Sequence, residues 1–428
     1  MASFDAGGLT AAPGPVDRHM SAVRFLGQDR PYWHILVRGA VLLMVTLGIY
    51  RFWLITDTRR FLWANTEIGG ESLEYSGTAL EILLGFLVAI ALLVPLYIFF
   101  FLGALDVGTA GPTTTLAVIA LAAIGQYAVW RARSYRLTRT VFRGLHFHQT
   151  GSGLHYAVCV LFWWAMMAVT LGLAYPFAQA SLERFKLAHT HYGDLPGRFE
   201  GSGWQLFLRG LPLWFAVMAP TLIALSALLA VDWVLIGRIL QSGGNTSDIL
   251  ARIGQQAPEF YGAIGLFVLA FGFALLAALA LFPAFQTIVM RWWVSGIRFA
   301  DVSVTSRLRM FDVYKAYLGF VALLLVFALT MIVIAFIAFA IIGLLFGTAE
   351  QSKFAELFTI LAMVGLYVVS ALGLSTIYQA TAKLSVWRLT AQSSALSDAA
   401  ILEHVKAAGE PGSPLGEGLA DALNVGGL

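Results

Sequence analysis

Four arginines recur at one spacing and have the chemistry of an anion-binding site. Each stands nine positions after an aromatic residue that ends an apolar stretch, and a fifth copy of the pattern ends in Trp387 and Arg388. The arginines are Arg59, Arg136, Arg184 and Arg291, and the aromatic residues are Tyr50, Tyr127, Tyr175, Phe282 and Tyr378. Because a guanidinium binds phosphate through a two-pronged fork, we predict that the arginines surround a cavity for anionic lipid headgroups or another phosphate-bearing ligand. The alternative is that these residues only anchor helix ends at the membrane interface.

The histidines cluster in a way that raises the question of a metal site. They are His146, His148, His155, His189 and His191. Residues two apart on a strand share a face, which suits metal ligation. However, no cysteine or acidic ligand recurs at a metal-binding spacing, and the matching part of the first repeat contains no histidine. We therefore predict solvated or core histidines, no metal and no cofactor.

Known catalytic motifs are absent from the sequence. It contains no His-Glu-x-x-His, no Gly-x-Ser-x-Gly and no phosphate-cradling Gly-x4-Gly-Lys. The acidic residues nearest the apolar stretches all fall at the ends of those stretches: Glu81, Asp106, Asp232 and Glu356. A proton- or cation-coupled carrier would instead need an acidic residue in the interior of a stretch. We predict that the protein is not an enzyme.

Composition places the chain in the membrane. Hydrophobic residues make up 59% of it and charged residues 12%, which leaves too little polar surface to cover a soluble globule. The formal net charge of +3 is too small to indicate a nucleic-acid partner. The single cysteine, Cys159, excludes an intramolecular disulfide.

Eight apolar stretches predict a polytopic α-helical membrane protein with eight hydrophobic helices, because unpaired backbone groups are not tolerated in lipid. They cover residues 35–50, 82–105, 112–130, 155–177, 211–231, 260–290, 316–346 and 357–382. Either all eight span the bilayer, or six span it and the first and fourth are re-entrant or interfacial. The second topology puts nearly all flanking Lys and Arg on one side, whereas the first divides them almost evenly. The positive-inside tendency therefore favours six spans with cytoplasmic N- and C-termini.

Two long segments of the chain match each other. The matching elements are Thr46-Leu47-Gly48 with Thr170-Leu171-Gly172, Arg60-Phe61 with Arg184-Phe185, Asn65-Thr66 with His189-Thr190, and Tyr75-Ser76-Gly77 with Phe199-Glu200-Gly201. These internal repeats resemble the YjgN-type family of bacterial inner-membrane proteins, a domain of unknown function. The resemblance implies an inner-membrane location and carries no established activity.

The repeats suggest a division of the chain into five parts. These are a disordered N-terminal tail (1–21), repeat unit 1 (22–143), repeat unit 2 (144–291), a third, partial unit (292–390) and a C-terminal cytoplasmic tail (391–428). We expect the last part, from residue 407 onward, to be unstructured.

Short alternating stretches follow four of the repeated arginines, near residues 73–75, 145–147, 195–199 and 302–304. Alternation with period two predicts strands, which together would form a small cytoplasmic β-sheet. Irregular loops with aromatic membrane anchors are the alternative.

Three functions fit these features. The first is transport or lipid handling through a basic vestibule that faces the cytoplasm, with membrane lipids, in particular anionic ones, as partners. The second is a membrane scaffold whose cytoplasmic elements bind another protein. An intramembrane enzyme is the least favoured, because we find no converging acid and base residues.

Overall fold

The computed structural model describes residues 20–105, 110–346 and 353–397, together with 402, 405–409, 413, 415–423 and 425. Apart from residues 20 and 21, the predicted disordered N-terminal tail lies outside these ranges. In chain order the helices are α1 (Asp29–Val45), α2 (Arg51–Ala64), α3 (Ala79–Leu105), α4 (Ala110–Thr138), α5 (Gly153–Val169), α6 (Tyr175–Ala188), α7 (Gly203–Leu229), α8 (Trp233–Gln241), α9 (Thr246–Gln256), α10 (Pro258–Gly296), α11 (Met310–Phe346), α12 (Lys353–Tyr378), α13 (Leu384–Gln392) and α14 (Leu415–Ala422). A π-helical stretch, Gln379–Lys383, joins α12 to α13.

Within the described ranges, six helical segments are long and apolar enough to cross a bilayer. They are α3, α4, α7, α10, α11 and the continuous segment from α12 to α13. Their surfaces are covered with exposed leucine, isoleucine, valine and phenylalanine side chains, which only a lipid environment would solvate favourably. The prediction of a polytopic helical membrane protein is confirmed.

The first and fourth apolar stretches form two helical hairpins rather than long helices. The α1–α2 pair and the α5–α6 pair each fold back through a five-residue turn, residues 46–50 and 170–174. In both turns a Leu and a Gly adopt positive φ, at 50° and 94° for Leu47 and Gly48 and at 49° and 87° for Leu171 and Gly172. A leucine rarely adopts this conformation, whereas glycine does so without steric cost.

A threonine side chain organises each of these two turns in the same way. The hydroxyl of Thr46 donates to the Leu42 carbonyl at 2.7 Å and accepts from a backbone N–H four residues later at 3.0 Å. Thr170 makes the same two bonds, to the Met166 carbonyl and from the Ala174 N–H, at the same distances. The matching Thr-Leu-Gly sequences therefore form the same local structure.

In the described part of the chain, eleven strands form one antiparallel sheet. They are β1 (Met20–Phe25), β2 (Thr66–Ile68), β3 (Glu71–Ser72), β4 (Glu74–Tyr75), β5 (Thr140–Phe142), β6 (Leu145–Gln149), β7 (Thr190–Tyr192), β8 (Leu195–Phe199), β9 (Ile297–Phe299), β10 (Val302–Ser306) and β11 (Ser394–Ser397). Their order is β3-β2-β1-β11-β10-β9-β8-β7-β6-β5-β4.

The sheet closes on itself. Its two end strands, β3 and β4, are separated in sequence only by Leu73, so one bent segment pairs with β2 on one side and with β5 on the other. Closure leaves no long unpaired edge, which is how barrels avoid aggregation through strand edges. We call this closed sheet the β-ring.

The β-ring fixes the direction of both helical hairpins. β1 and β2, which flank the first hairpin, pair antiparallel, and so do β6 and β7, which flank the second. Each hairpin therefore leaves the β-ring and returns to it on the same side.

The C-terminal part is more ordered than expected. Contrary to the expectation of an unstructured end, α14 is a helix packed against both α3 and α4. Small residues allow the close approach: Ala420 is fully buried against Ala128 and Ala132 of α4. The sequence gives no apolar run here, which is why the helix was not predicted. In addition, β11, within the predicted tail (391–428), lies in the β-ring between β1 and β10.

Candidate functional site

A cavity of about 670 Å³ lies inside the β-ring. Its walls are alternate, inward-facing residues of the strands, such as Ile297 and Phe299 of β9 and Val302 and Val304 of β10. Side chains of α10 and α13 complete the lining. The volume falls in the range of roughly 300–1,000 Å³ that is usual for small-molecule sites. The lining is mostly apolar, so the cavity suits a hydrocarbon chain.

A lysine is among the residues that line this cavity. Lys383, in the π-helical stretch, is one of the lining residues and lies close enough to Arg59 for the two charges to repel each other. Tyr317 is also in the lining, where its hydroxyl donates to the side-chain oxygen of Gln286 at 2.7 Å. A π-helical turn within an α-helix often marks a functional position.

Arg59 is the centre of a buried basic cluster beside the cavity. Its side chain is only 3% exposed. One guanidinium nitrogen donates to the Tyr75 hydroxyl at 3.0 Å, and the other donates to the carboxylate of Glu417 in α14. The second carboxylate oxygen of Glu417 lies 4.0 Å from Nε of Arg136. One carboxylate is thus held between two guanidinium groups.

The acidic partner keeps Arg59 charged. Burial alone lowers the pKa of Arg59, but the Glu417 carboxylate and the Tyr75 hydroxyl outweigh burial and raise the pKa above its ordinary value. A second acidic residue of α14, Asp421, bonds to Arg51 at 2.6 Å. Burial raises the pKa of Asp421, and the Arg51 charge opposes that effect.

The close packing of α14 depends on glycine. A Cβ added to Gly418 would lie 1.8 Å from the carbonyl carbon of Gly85 in α3, and one added to Gly416 would lie 2.4 Å from Cβ of Arg131 in α4. No side chain fits at such distances. The two acidic residues are therefore brought to the arginines by a helix that only glycine allows to dock.

The structure brings together two of the four predicted arginines. Arg59 and Arg136 meet at Glu417, but the guanidinium of Arg184 donates to the Gly201 carbonyl at 3.2 Å, and Arg291 is exposed on α10. Arg60 makes the bond equivalent to that of Arg184, to the Gly77 carbonyl at 3.0 Å. The nine-residue spacing thus groups side chains with different contacts.

The residue that corresponds to Arg59 in the second hairpin has the opposite charge. Glu183 is buried, accepts from Lys186 at 2.6 Å and accepts from the indole nitrogen of Trp293 at 2.9 Å. Nearby, Arg133 donates to the side chains of Gln149 and Thr190, each at 2.9 Å. The described partners of this second cluster thus come from α6, α10 and the two strands that flank the second hairpin.

The predicted interfacial aromatic residues have four kinds of surroundings. Tyr50 stacks on a neighbour in α2, and Tyr127 lies against the start of α5. Tyr175 and Phe282 line a separate apolar pocket of about 420 Å³ between the turn of the second hairpin, α7 and α10. Tyr378 lines the β-ring cavity.

The histidines meet only in part. His148 and His191 are opposite each other on β6 and β7, with rings stacked 4.9 Å apart. Burial and the neighbouring His191 lower the pKa of His148. His146 and His189 instead contact backbone carbonyls through Nδ1. Within the described ranges, no group of three or more His, Cys, Asp or Glu side chains is placed to hold a metal.

Sequence reasoning missed several residues of this site, above all Lys383, Glu417 and Asp421. Lys383 is a single charge near the end of a long apolar segment. A charge in such a segment often marks a functional residue, so this one could have been identified from the sequence. Glu417 and Asp421 are four positions apart, as residues on one helix face are, but the surrounding Gly and Ala gave no hydrophobic pattern.

Comparison with known proteins supports the membrane architecture. A 131-residue segment is 28% identical to "Inner membrane protein YjgN" of Salmonella typhimurium (strain LT2), and the match covers 31% of this chain and 32% of that relative. The chain thus aligns with about a third of the length of that relative. No solved structure matches.

Residues 20–422 match a family described as "Bacterial protein of unknown function (DUF898)", and this range contains the helical hairpins, the β-ring and the whole of α14. Since the match covers most of the chain, the protein belongs to the DUF898 family.

Proposed function

We propose that this protein is an integral inner-membrane protein that handles an amphiphilic, anionic lipid. In this proposal the hydrocarbon part lies in the β-ring cavity, and the headgroup lies in a cytoplasm-facing basic vestibule formed by Arg59, Arg136 and Lys383. The single observation that carries the proposal is the apolar cavity of about 670 Å³ with Lys383 in its lining, next to the buried Arg59.

The membrane arrangement we propose has six spanning helices and two re-entrant hairpins. Each hairpin starts and ends at the β-ring, so neither of them has to cross. The tip of the first hairpin is apolar and open, with Leu47 94% exposed, as expected of a segment that ends within lipid. The positive-inside tendency then places the β-ring and both termini in the cytoplasm.

The inner-membrane location is supported by the name of the Salmonella relative. The matching turns at Leu47-Gly48 and Leu171-Gly172 further support an internal repeat in which the two hairpins are equivalent.

The charges and the cavity together favour an amphiphile over a purely apolar or a purely ionic ligand. A hydrocarbon would leave the buried guanidinium groups without any role in binding, and a small anion would leave the cavity unfilled. An anionic lipid satisfies both parts, since a guanidinium binds phosphate through two hydrogen bonds. The scaffold function is less favoured, because the closed β-ring offers a partner no long open strand edge.

A cavity-filling variant tests the proposal. Val304→Trp places a large ring in the cavity, whereas Thr305→Trp, on the same strand, adds the same ring to an exposed position outside. Purified variants are titrated with anionic and zwitterionic lipid in mild detergent, and bound lipid is counted by native mass spectrometry. We expect Val304→Trp to reduce lipid binding at least tenfold and Thr305→Trp to leave it unchanged.

Arginine variants test the headgroup part. Arg59→Lys and Arg136→Lys keep the charge but lose the planar fork, which is worth roughly 1.5–3 kcal/mol for a charge-assisted hydrogen bond. The preference for anionic over zwitterionic lipid should therefore fall more than tenfold in both. Arg184→Lys and Arg291→Lys are the controls and should keep it. If Val304→Trp and all four lysine variants bind lipid as the wild type does, the scaffold function becomes the preferred one.

A further inference from the structure

We propose that the Arg59–Arg136 site binds the phosphate or carboxylate headgroup of the amphiphile and that α14 is a built-in competitor for the same site. In the structure Glu417 stands where the headgroup would bind. The inference rests on the proposed lipid function and adds to it the identity of the headgroup site and its regulation by the chain's own C-terminal helix.

The first observation is the geometry around Glu417. Its carboxylate lies between the guanidinium groups of Arg59 and Arg136, and the side chain is only 6% exposed. Two arginines facing one anionic group is an arrangement by which proteins bind phosphate. A carboxylate in this position therefore marks an anion site already occupied from within the chain.

The second observation is that the carboxylate does not complete the site. Nε of Arg59 is buried and has no hydrogen-bond partner in the described part of the chain, and neither has Oε2 of Glu417. Buried donors without a partner are rare and costly in folded proteins. A phosphate carries more acceptor oxygens than a carboxylate, so it is able to satisfy a donor that Glu417 leaves unpaired.

The third observation concerns how α14 is held. It is a short helix of eight residues, and it packs closely through Gly416, Gly418 and Ala420, with Leu419 partly buried beside them. Its second ionic contact, Asp421 with Arg51, involves an arginine side chain that is 44% exposed. Of the two ionic contacts, the one made by Glu417 is the one in which both side chains are buried, so a ligand that takes over the arginines weakens the docking of the helix.

The same C-terminal segment also reaches the apolar cavity. Leu402 is one of its lining residues and packs against the core of β1, α1 and α13. Between these points the Lys406 carbonyl accepts from the Asp194 N–H, and the Lys406 N–H donates to the Asp194 carboxylate, each at 3.1 Å. Described residues of one C-terminal segment thus line the hydrocarbon part and fill the headgroup part of the proposed site. Ligand binding and C-terminal docking exclude each other, and each weakens the other by the same factor.

Labelling of Ala420→Cys measures docking directly. Ala420 is fully buried when α14 is docked, so a maleimide reacts slowly with the cysteine in a Cys159→Ala background. Val425→Cys, which is exposed, gives the unprotected rate, and Ala180→Cys, buried in α6 away from α14, gives the rate of general unfolding. Nanodiscs of phosphatidylcholine alone are compared with nanodiscs that contain phosphatidylglycerol, and inorganic phosphate is added to the former.

We expect phosphatidylglycerol to raise the labelling rate of Ala420→Cys at least tenfold without changing that of Ala180→Cys. A rise with inorganic phosphate alone would identify a free anion as the ligand of the same site. If neither probe changes the rate while lipid binds, α14 and the ligand do not compete, and the inference is wrong.

Two variants that leave every arginine in place separate this inference from the proposed function. Glu417→Gln removes the competing charge, and Gly418→Ala blocks close packing against Gly85 without touching any charge. Both should bind phosphatidylglycerol more than tenfold tighter than the wild type. Gly319→Ala is the matched control, because an added Cβ there meets nothing within 4 Å. It should bind phosphatidylglycerol as the wild type does. If these variants bind lipid like the wild type while Val304→Trp still abolishes binding, the competition fails and the proposed function stands. If no variant binds lipid, both fail.

Discussion

Replacing both members of the Arg59–Glu417 pair should be less harmful to α14 docking than replacing either one. Arg59→Met leaves a buried carboxylate whose remaining cationic neighbour in this cluster, Arg136, is 4.0 Å away, and Glu417→Gln leaves a buried guanidinium without its anionic partner. The double variant leaves neither charge. We therefore expect the two substitutions to be strongly non-additive.

The burial of the pair sets the expected magnitude. The side chains of Arg59 and Glu417 are 3% and 6% exposed, so solvent screens the interaction little. Breaking a buried ion pair by removing one partner costs about 3–5 kcal/mol, and replacing both by groups of similar shape is often close to neutral. We expect a coupling free energy of about 2–3 kcal/mol for α14 docking, which corresponds to a 30- to 150-fold change in the docking equilibrium.

Protection of Ala420→Cys against maleimide, relative to Val425→Cys, gives the docking free energy of each variant. The Arg51–Asp421 pair is the internal control, because it also joins α14 to the rest of the chain but its arginine is 44% exposed. Arg51→Met and Asp421→Asn should couple by less than about 1 kcal/mol. Equal coupling in the two cycles would refute the idea that the buried Arg59–Glu417 pair dominates docking.

Three further predictions concern pH, backbone and topology. Because burial raises the pKa of Asp421 in the docked state, α14 docking should strengthen as pH falls through that pKa. The increase in docking should be complete below the pKa of the undocked residue, near 3.9. The mobility of a spin label at Ala422→Cys measures docking, and Asp421→Asn should remove its pH dependence. Gly48→Ala, at a φ of +94°, should cost about 1 kcal/mol or more and lower the midpoint of thermal unfolding in detergent, whereas Gly319→Ala, in the interior of α11, should not. In a Cys159→Ala background, Gln149→Cys should be protected from an impermeant maleimide in intact cells and Asn245→Cys should react; labelling of Gln149→Cys from outside would overturn the six-span topology.

Local sequence patterns predicted the long helices and several strands, because these depend mainly on neighbouring residues. Apolar length identified the six long helices, since lipid forces backbone groups to pair within each helix. The alternating stretches near residues 73–75, 145–147, 195–199 and 302–304 all lie in or next to strands of the β-ring. The matching Thr-Leu-Gly elements form turns with the same dihedral angles and hydrogen bonds.

Long-range pairing was beyond these patterns. β1 and β11 were not predicted, because they become strands by pairing with each other across the length of the chain and with β2 and β10. The arginine spacing likewise could not show that Arg184 bonds a backbone carbonyl, because that depends on the loop before α7. Glu417 lies 358 positions from Arg59, so no local signal connects the two.

The opposite charges at equivalent positions of the two hairpins explain why only one hairpin carries a candidate anion site. In the second hairpin Glu183 supplies the negative charge from within, and Lys186 and Trp293 satisfy it in place. In the first hairpin the equivalent position is Arg59, whose negative partner comes from a helix near the other end of the chain. A built-in counter-charge makes a stable structural contact. In our proposal a counter-charge on a small, closely packed helix is able to leave, so the asymmetry between the hairpins is what would make the Arg59 site available to a ligand.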